Sequence, residues 1–309
     1  MHVMDLTNLW NLQEQLFCLF VVGLLLRRIG LFAETSKSML TDLVLYVTLP
    51  CSIILSFQFE LDYQLFVSFV VIFFLSVGVQ GFCFLLTRIS FRTVDPDKKS
   101  VLHYGLLVSN SGFLGLPIVG ELFGPAGLMY ASVYLIVQRV VIWTAGLSLF
   151  CPAAVNKKQA VLSVALHPCM ISMYVGLFLM LFGVRLPVFL DMTLSSLGGC
   201  TTALSMMLIG SLFGKMQKKQ IRLDRNLVLF SLLRLLLIPL VSLFAGRLLS
   251  IDPLLVGVAV ILAAMPGGSS TVILASKYGR DTTYASKMVI ISTLLSLLSI
   301  PVWSLVLNF

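Results

Sequence analysis

Ser109-Asn110-Ser111-Gly112-Phe113-Leu114-Gly115-Leu116-Pro117 stands in the middle of an apolar run from about Leu102 to Phe123. A membrane-spanning helix satisfies every backbone donor and acceptor internally. This stretch cannot do so at every residue. Pro117 lacks an N–H and clashes with the carbonyl four residues back, and Gly112 and Gly115 weaken the helix around it. A second such stretch, Ala264-Met265-Pro266-Gly267-Gly268-Ser269-Ser270-Thr271, lies inside the apolar run from about Leu254 to Ser276. A single proline in a membrane helix mostly kinks it. Two Gly/Pro clusters flanked by Asn and Ser, at matching places in two halves, predict functional breaks with a binding site beside them.

The composition around these runs is that of a membrane protein. Hydrophobic residues make up 59% of the 309, charged residues only 11%, and mean hydropathy is +1.03. A soluble domain carries about 25% charged residues, so no soluble core could hide this surface. The net charge of +8 is then expected in cytoplasmic loops and is no sign of nucleic-acid binding. Cys18, Cys51, Cys83, Cys151, Cys169 and Cys200 are scattered with no CxxC pair, so they read as small apolar residues rather than disulfides or metal ligands. His2, His103 and His167 show no ligand spacing. No metal or other cofactor is expected. Met1 to Gln15 lacks the basic region of a cleavable signal peptide.

Apolar runs of about 20 residues mark spanning helices. Ten are read, at about 12–29, 38–57, 64–87, 101–123, 126–150, 160–183, 187–213, 227–249, 254–276 and 283–307. The expectation is one all-α membrane domain over 1–309, with short loops. Odd-numbered connections hold 17 of the Lys and Arg residues, even-numbered ones only Arg185 and Arg247, and Arg139 and Arg234 fall inside segments. The positive-inside rule then puts both termini outside the cytoplasm.

The halves read as repeats, one over 10–150 and the other over 160–309. Tyr130-Ala131-Ser132 recurs as Tyr284-Ala285-Ser286 at an offset of 154, and the same offset carries the first broken stretch onto the second. Gly124 is matched by Gly279 at 155. Five segments per repeat is odd, so the repeats must be inverted in the membrane, with segments four and nine broken.

In that geometry each second half-helix starts near mid-membrane, at about Pro117 and Pro266. A helix start presents free N–H groups and about half a positive charge, so two converging starts favour an anion. Asn110 can donate through its amide, and Ser269, Ser270 and Thr271 through hydroxyls; the same hydroxyls also suit ordinary capping. Gln138 and Arg139 lie in mid-membrane on segment five, and Arg234 on segment eight. Such residues face a cavity or a partner. Asp42 and Glu121 are the candidate counter-charges, and a structural ion pair is the plain alternative for Arg234. Glu121 falls near the outer interface. His103 and His167, near inner helix ends, read as interfacial rather than as proton relays. Pro50 interrupts segment two, either lining the cavity or only packing. No enzyme signature of the HExxH, GxSxG or Walker type is present.

The chain resembles the auxin efflux carrier family, and within it the short prokaryotic members described as malate or malonate permeases. The resemblance covers the whole chain. Asn110, Gly115 and Pro117 match the family's Asn-x4-Gly-x-Pro crossover, and Met265-Pro266-Gly267 matches the crossover of the ninth helix. Val137-Gln138 with Trp143 resembles the fifth helix, and Pro50 the proline of the second. The resemblance implies ten helices in two inverted repeats, a scaffold and a moving transport part, and elevator-like alternating access. It implies a substrate carboxylate held beside the crossover by Asn110 and Gln138, with Gly115, Pro117, Pro266, Gly267, Gly268 and Ser269 around it. Plant carriers have a Ser three residues after the helix-two proline; here that position is Ile53, with Ser52 adjacent, and the long plant loop is absent. Both departures argue against auxin itself.

The expectation is a secondary transporter of small mono- or dicarboxylates in a prokaryotic cytoplasmic membrane, not an enzyme. A sodium- or proton-coupled symporter of the bile-acid type, an anion channel and a non-transporting receptor remain the alternatives. A homodimer and coupling to H+ or Na+ stay open.

Overall fold

The computed structural model describes residues 6–59, 62–150, 162, 165–213, 224–268 and 270–307. Among them the regular structure is helical, apart from one isolated antiparallel β-bridge. The helices are α1 (Leu6–Arg28), α2 (Glu34–Leu43), α3 (Leu49–Leu55), α4 (Tyr63–Ile89), α5 (Pro96–Leu107), α6 (Leu116–Val141), α7 (Leu147–Phe150), α8 (Pro168–Leu181), α9 (Val188–Phe213), α10 (Arg225–Leu232), α11 (Ile238–Leu248), α12 (Pro253–Ala263), α13 (Ser270–Lys277) and α14 (Thr282–Leu307). Four described helical runs are long and apolar enough to cross a membrane: Tyr63–Ile89, Ser111–Phe150, Arg225–Leu248 and Thr282–Leu307. The chain is a polytopic helical membrane protein.

Local sequence explains where these helices start. Asp62 caps α4 by accepting from the Leu65 N–H at 2.7 Å, and Asp224 caps α10 by accepting from the Leu227 N–H at 2.8 Å. Asp95 and Asp252 cap α5 and α12 in the same way, each followed by a proline in the first turn. Proline suits that position because its missing N–H would be unpaired there anyway. The start signals therefore recur in the same order in the two halves.

Prolines also explain three wide turns, though not the one at Ile142–Gly146. Five-residue π-turns at Val44–Thr48, Ser111–Gly115 and Leu233–Leu237 each end two residues before a proline, at Pro50, Pro117 and Pro239. A proline ring pushes away the carbonyl four residues back, and a π-turn absorbs the displacement by passing that bond one residue further along. Glycine acts at the next break. Gly124 lies inside α6 with φ 66°, which divides that helix before Pro125, and Gly279 turns the chain before α14 with φ 65°. Left-handed φ suits a residue without Cβ.

The sixth segment departs from the sequence expectation of a continuous helix over 160–183. Leu166-His167 is a turn, and α8 begins only at Pro168. His167 caps it, its Nδ1 accepting from the Cys169 N–H at 3.3 Å. His103 is likewise held locally, its Nε2 lying 3.1 Å from the Ser90 carbonyl oxygen.

Packing joins α1 along α9, α3 against both α8 and α9, and α6 between α4 and α12. The α1–α9 contact is close because it uses glycine. A Cβ on Gly210 would overlap the Phe20 carbonyl, and one on Gly23 the Met207 carbonyl.

Candidate functional site

The two broken stretches cross each other. Asn110 N–H donates to the Pro266 carbonyl at 2.8 Å, and Gly268 N–H donates to the Val108 carbonyl at 3.0 Å. Ser109 and Gly267 thereby form the β-bridge. Backbone groups that each break frees from its own helix are satisfied by the other break, which the absence of water in a bilayer core requires.

Side chains from the flanking helices brace this crossing. Gln138 of α6 grips Ser109 twice. Its Nε2 donates to the Ser109 carbonyl at 2.7 Å, and its Oε1 accepts from the Ser109 hydroxyl at 3.1 Å. Ser292 of α14 accepts from the Gly267 N–H at 3.2 Å. Gln138 and Ser292 are 154 residues apart, the offset that relates the Tyr-Ala-Ser triplets, and each touches one end of the same bridge. Ser111 Oγ lies against Ser109 Oγ and donates to the Leu262 carbonyl at 2.8 Å. Tyr104 of α5 donates to the Ser270 hydroxyl at 3.0 Å, which ties α5 to the start of α13.

Arg234 closes the crossing from another side. It is 3% exposed. Its Nε donates to the Met265 carbonyl at 2.9 Å and its Nη1 to the Leu106 carbonyl at 3.1 Å, with Cys83 Sγ at 3.9 Å. The Leu106 carbonyl lies in the last turn of α5 and the Met265 carbonyl two residues beyond α12, at helix ends that leave their last carbonyls unpaired and about half a negative charge. This corrects the expectation of a carboxylate partner. Asp42 is exposed on α2, and Glu121 accepts from the Thr202 hydroxyl at 3.1 Å. Helix-end carbonyls take the place of a counter-ion.

Asn110 is buried, at φ −79° and ψ 31°, and its side chain makes no capping hydrogen bond. The first turn beyond it, at Ser111, Gly112 and Phe113, carries the N–H groups that a helix start leaves without intrahelical partners. The amides of Gly267 and Gly268 are engaged within the crossing. Gly115 permits close approach, since a Cβ there would lie 2.8 Å from Leu262 Cδ2. Ser269 lies outside the described residues. Arg139 points elsewhere, its Nη1 donating to Met170 Sδ of α8 at 3.3 Å.

A cavity of about 270 Å3 opens next to the crossing. One wall is the start of α6, with Pro117, Gly120 and Glu121; the other is α3 and α9, with Ser52, Gly198, Thr201 and Thr202. Ser52 donates to the Gly198 carbonyl at 3.0 Å and lies 3.1 Å from Thr201 Oγ1. Pro117 and Ser52, far apart in sequence, thus share one cavity. Leu49 lines it beside Pro50. Asn110 and Gln138 are not among its lining residues. Ser109, Ser111, Ser292 and Thr202 were not singled out from sequence. For Ser292 a signal existed in its spacing from Gln138.

Crossed, mutually paired helix breaks beside a cavity mark a polytopic membrane protein of the kind that handles a solute. The chain matches the family described as membrane transport protein over residues 14–160 and 154–304. It belongs to that family, the auxin efflux carriers. It is 29% identical over 294 residues to an uncharacterized transporter of Methanothermobacter thermautotrophicus, covering 94% of this chain and 95% of that one. It is 26% identical over 298 residues to one of Methanocaldococcus jannaschii, covering 94% and 96%. Against the uncharacterized transporter YfdV of Escherichia coli it is 24% identical over 201 residues, 62% of this chain and 63% of that one.

Proposed function

We propose that this protein carries small organic anions, mono- or dicarboxylates of the malate and malonate kind, across the cytoplasmic membrane by alternating access. The observation that carries the reading is the backbone pairing of the two breaks, Asn110 to Pro266 and Gly268 to Val108. It joins two half-helix starts, at Ser111 and Ser270, into one region with positive partial charge and free donors. Asn110 would add its side-chain amide to a bound carboxylate, while Gln138 holds the break that presents it.

In this proposal the chain is one membrane domain of ten spans in two inverted repeats, 10–150 and 160–309. The paired Asp caps, the left-handed glycines Gly124 and Gly279, and the matched braces Gln138 and Ser292 support it. The crossing, with α4 to α7 and α10 to α14, would move against α1 to α3, α8 and α9. The cavity that holds Ser52 and Pro117 lies on this boundary. With the basic connections inside, it sits in the outer half of the membrane.

A melting screen of the purified protein against mono- and dicarboxylates tests the substrate class, because a ligand that binds the folded state raises its melting temperature. Stabilisation by a carboxylate, followed by its uptake into proteoliposomes, is the expected result. Stabilisation by neutral or cationic solutes alone would refute it.

A further inference from the structure

The two half-helices that enter the crossing, α5 and α12, bring their carbonyl ends together. In broken-helix transporters such ends, with the unwound carbonyls beyond them, are where a coupling cation binds. Here that place is taken by a side chain. Arg234 reaches the Leu106 and Met265 carbonyls with one guanidinium while remaining 3% exposed. A guanidinium stays charged throughout the physiological range. A metal ion at the same oxygens would meet a fixed positive charge at close quarters and low dielectric.

We propose that Arg234 is the crossover's resident cation: it fills the place of a coupling metal ion at the two carbonyl ends, so that anion binding at the crossing needs no sodium. Both carbonyl ends are neutralised by Arg234, while the helix starts at Ser111 and Ser270 keep their positive partial charge. The crossing as a whole is therefore left electropositive. The choice of anion over cation is made by a residue outside the two breaks. The anion part rests on the function proposed above; the cation part does not.

The test has two arms on the purified protein. In the first, malonate is titrated calorimetrically into the wild type as its N-methylglucamine salt, with and without sodium chloride. Affinities within about twofold are expected, and a gain of about tenfold or more with sodium overturns the proposal. In the second, melting is followed for Arg234→Ala. It should melt several degrees below wild type, and millimolar guanidinium, far below denaturing concentration, should recover at least half the loss while N-methylglucamine recovers none. An Arg234→Ala protein that melts like wild type, or that ignores guanidinium, overturns it. Arg234→Lys serves if the Ala variant does not fold. It keeps the charge but not the two-armed reach, so it should melt below wild type and stay indifferent to sodium; stabilisation of the Lys variant by sodium overturns the proposal. Absence of malonate binding to the wild type counts against the anion reading alone, and the melting arm still judges Arg234.

Discussion

Gln138 holds both the carbonyl and the hydroxyl of Ser109, at 2.7 and 3.1 Å. Its amide is thus spent on the break itself, one residue before Asn110, whose own side chain makes no capping bond. The two residues that the family resemblance assigns to one carboxylate therefore stand in different physical situations, and their substitution should have different consequences.

Asn110→Ala should retain the wild-type melting temperature and lose anion affinity about ten- to a hundredfold. A hydrogen bond to a charged group contributes about 1.5–3 kcal/mol, and each decade of affinity is about 1.4 kcal/mol. Asn110→Asp should bind more weakly still, since an ionised carboxylate repels the substrate. Calorimetry and melting on the same samples decide. Unchanged affinity in a folded Asn110→Ala protein removes this residue from the site.

Gln138→Ala should lower stability first. It strands the buried Ser109 carbonyl without its donor, and a stranded buried group costs about 1–3 kcal/mol. Gln138→Glu should be equally poor, because it keeps an acceptor for the hydroxyl but loses the N–H. A Gln138→Ala protein that melts normally and yet fails to bind would instead make Gln138 a direct ligand.

Arg139 offers the opposite case. Its Nη1 donates to a thioether and its guanidinium also meets the Cys169 thiol, both weak sulfur acceptors, so its burial is poorly compensated. A buried charge costs several kcal/mol in desolvation unless well-placed acceptors repay it, and even complete buried ion pairs are often matched or bettered by apolar side chains of similar size. Arg139→Met is therefore expected to melt at or above the wild-type temperature. A marked drop in melting would mean that the guanidinium has a stabilising role beyond Met170.

Orientation is open to a direct test. Reporter fusions at the two termini and in the Lys215–Arg225 connection should place both termini outside and that connection inside, as the Lys/Arg bias requires. A cytoplasmic carboxyl terminus would remove both the ten-span reading and the inversion of the repeats.

Much of this was legible in the chain because its causes are local. Apolar runs report burial in lipid. Pro117 and Pro266 mark where a helix must break, because a missing N–H and a ring clash act within four residues. Asp62, Asp95, Asp224 and Asp252 cap helices within three residues of themselves. Gly124 and Gly279 take left-handed turns that their lack of Cβ allows.

The tertiary structure alone decided which group answers which. Arg234 is legible as a buried charge, and the sequence points to Asp42 and Glu121 as its partners because only side chains identify themselves in a sequence. Its partners are the Leu106 and Met265 carbonyls. Every residue has a carbonyl, and two of them become acceptors here only because two helices end facing one another. The same holds for Gln138 on Ser109 and for the cavity that joins Ser52 to Pro117. Sequence sets where a helix stops; the crossing of two stopped helices in space determines which unpaired backbone groups meet.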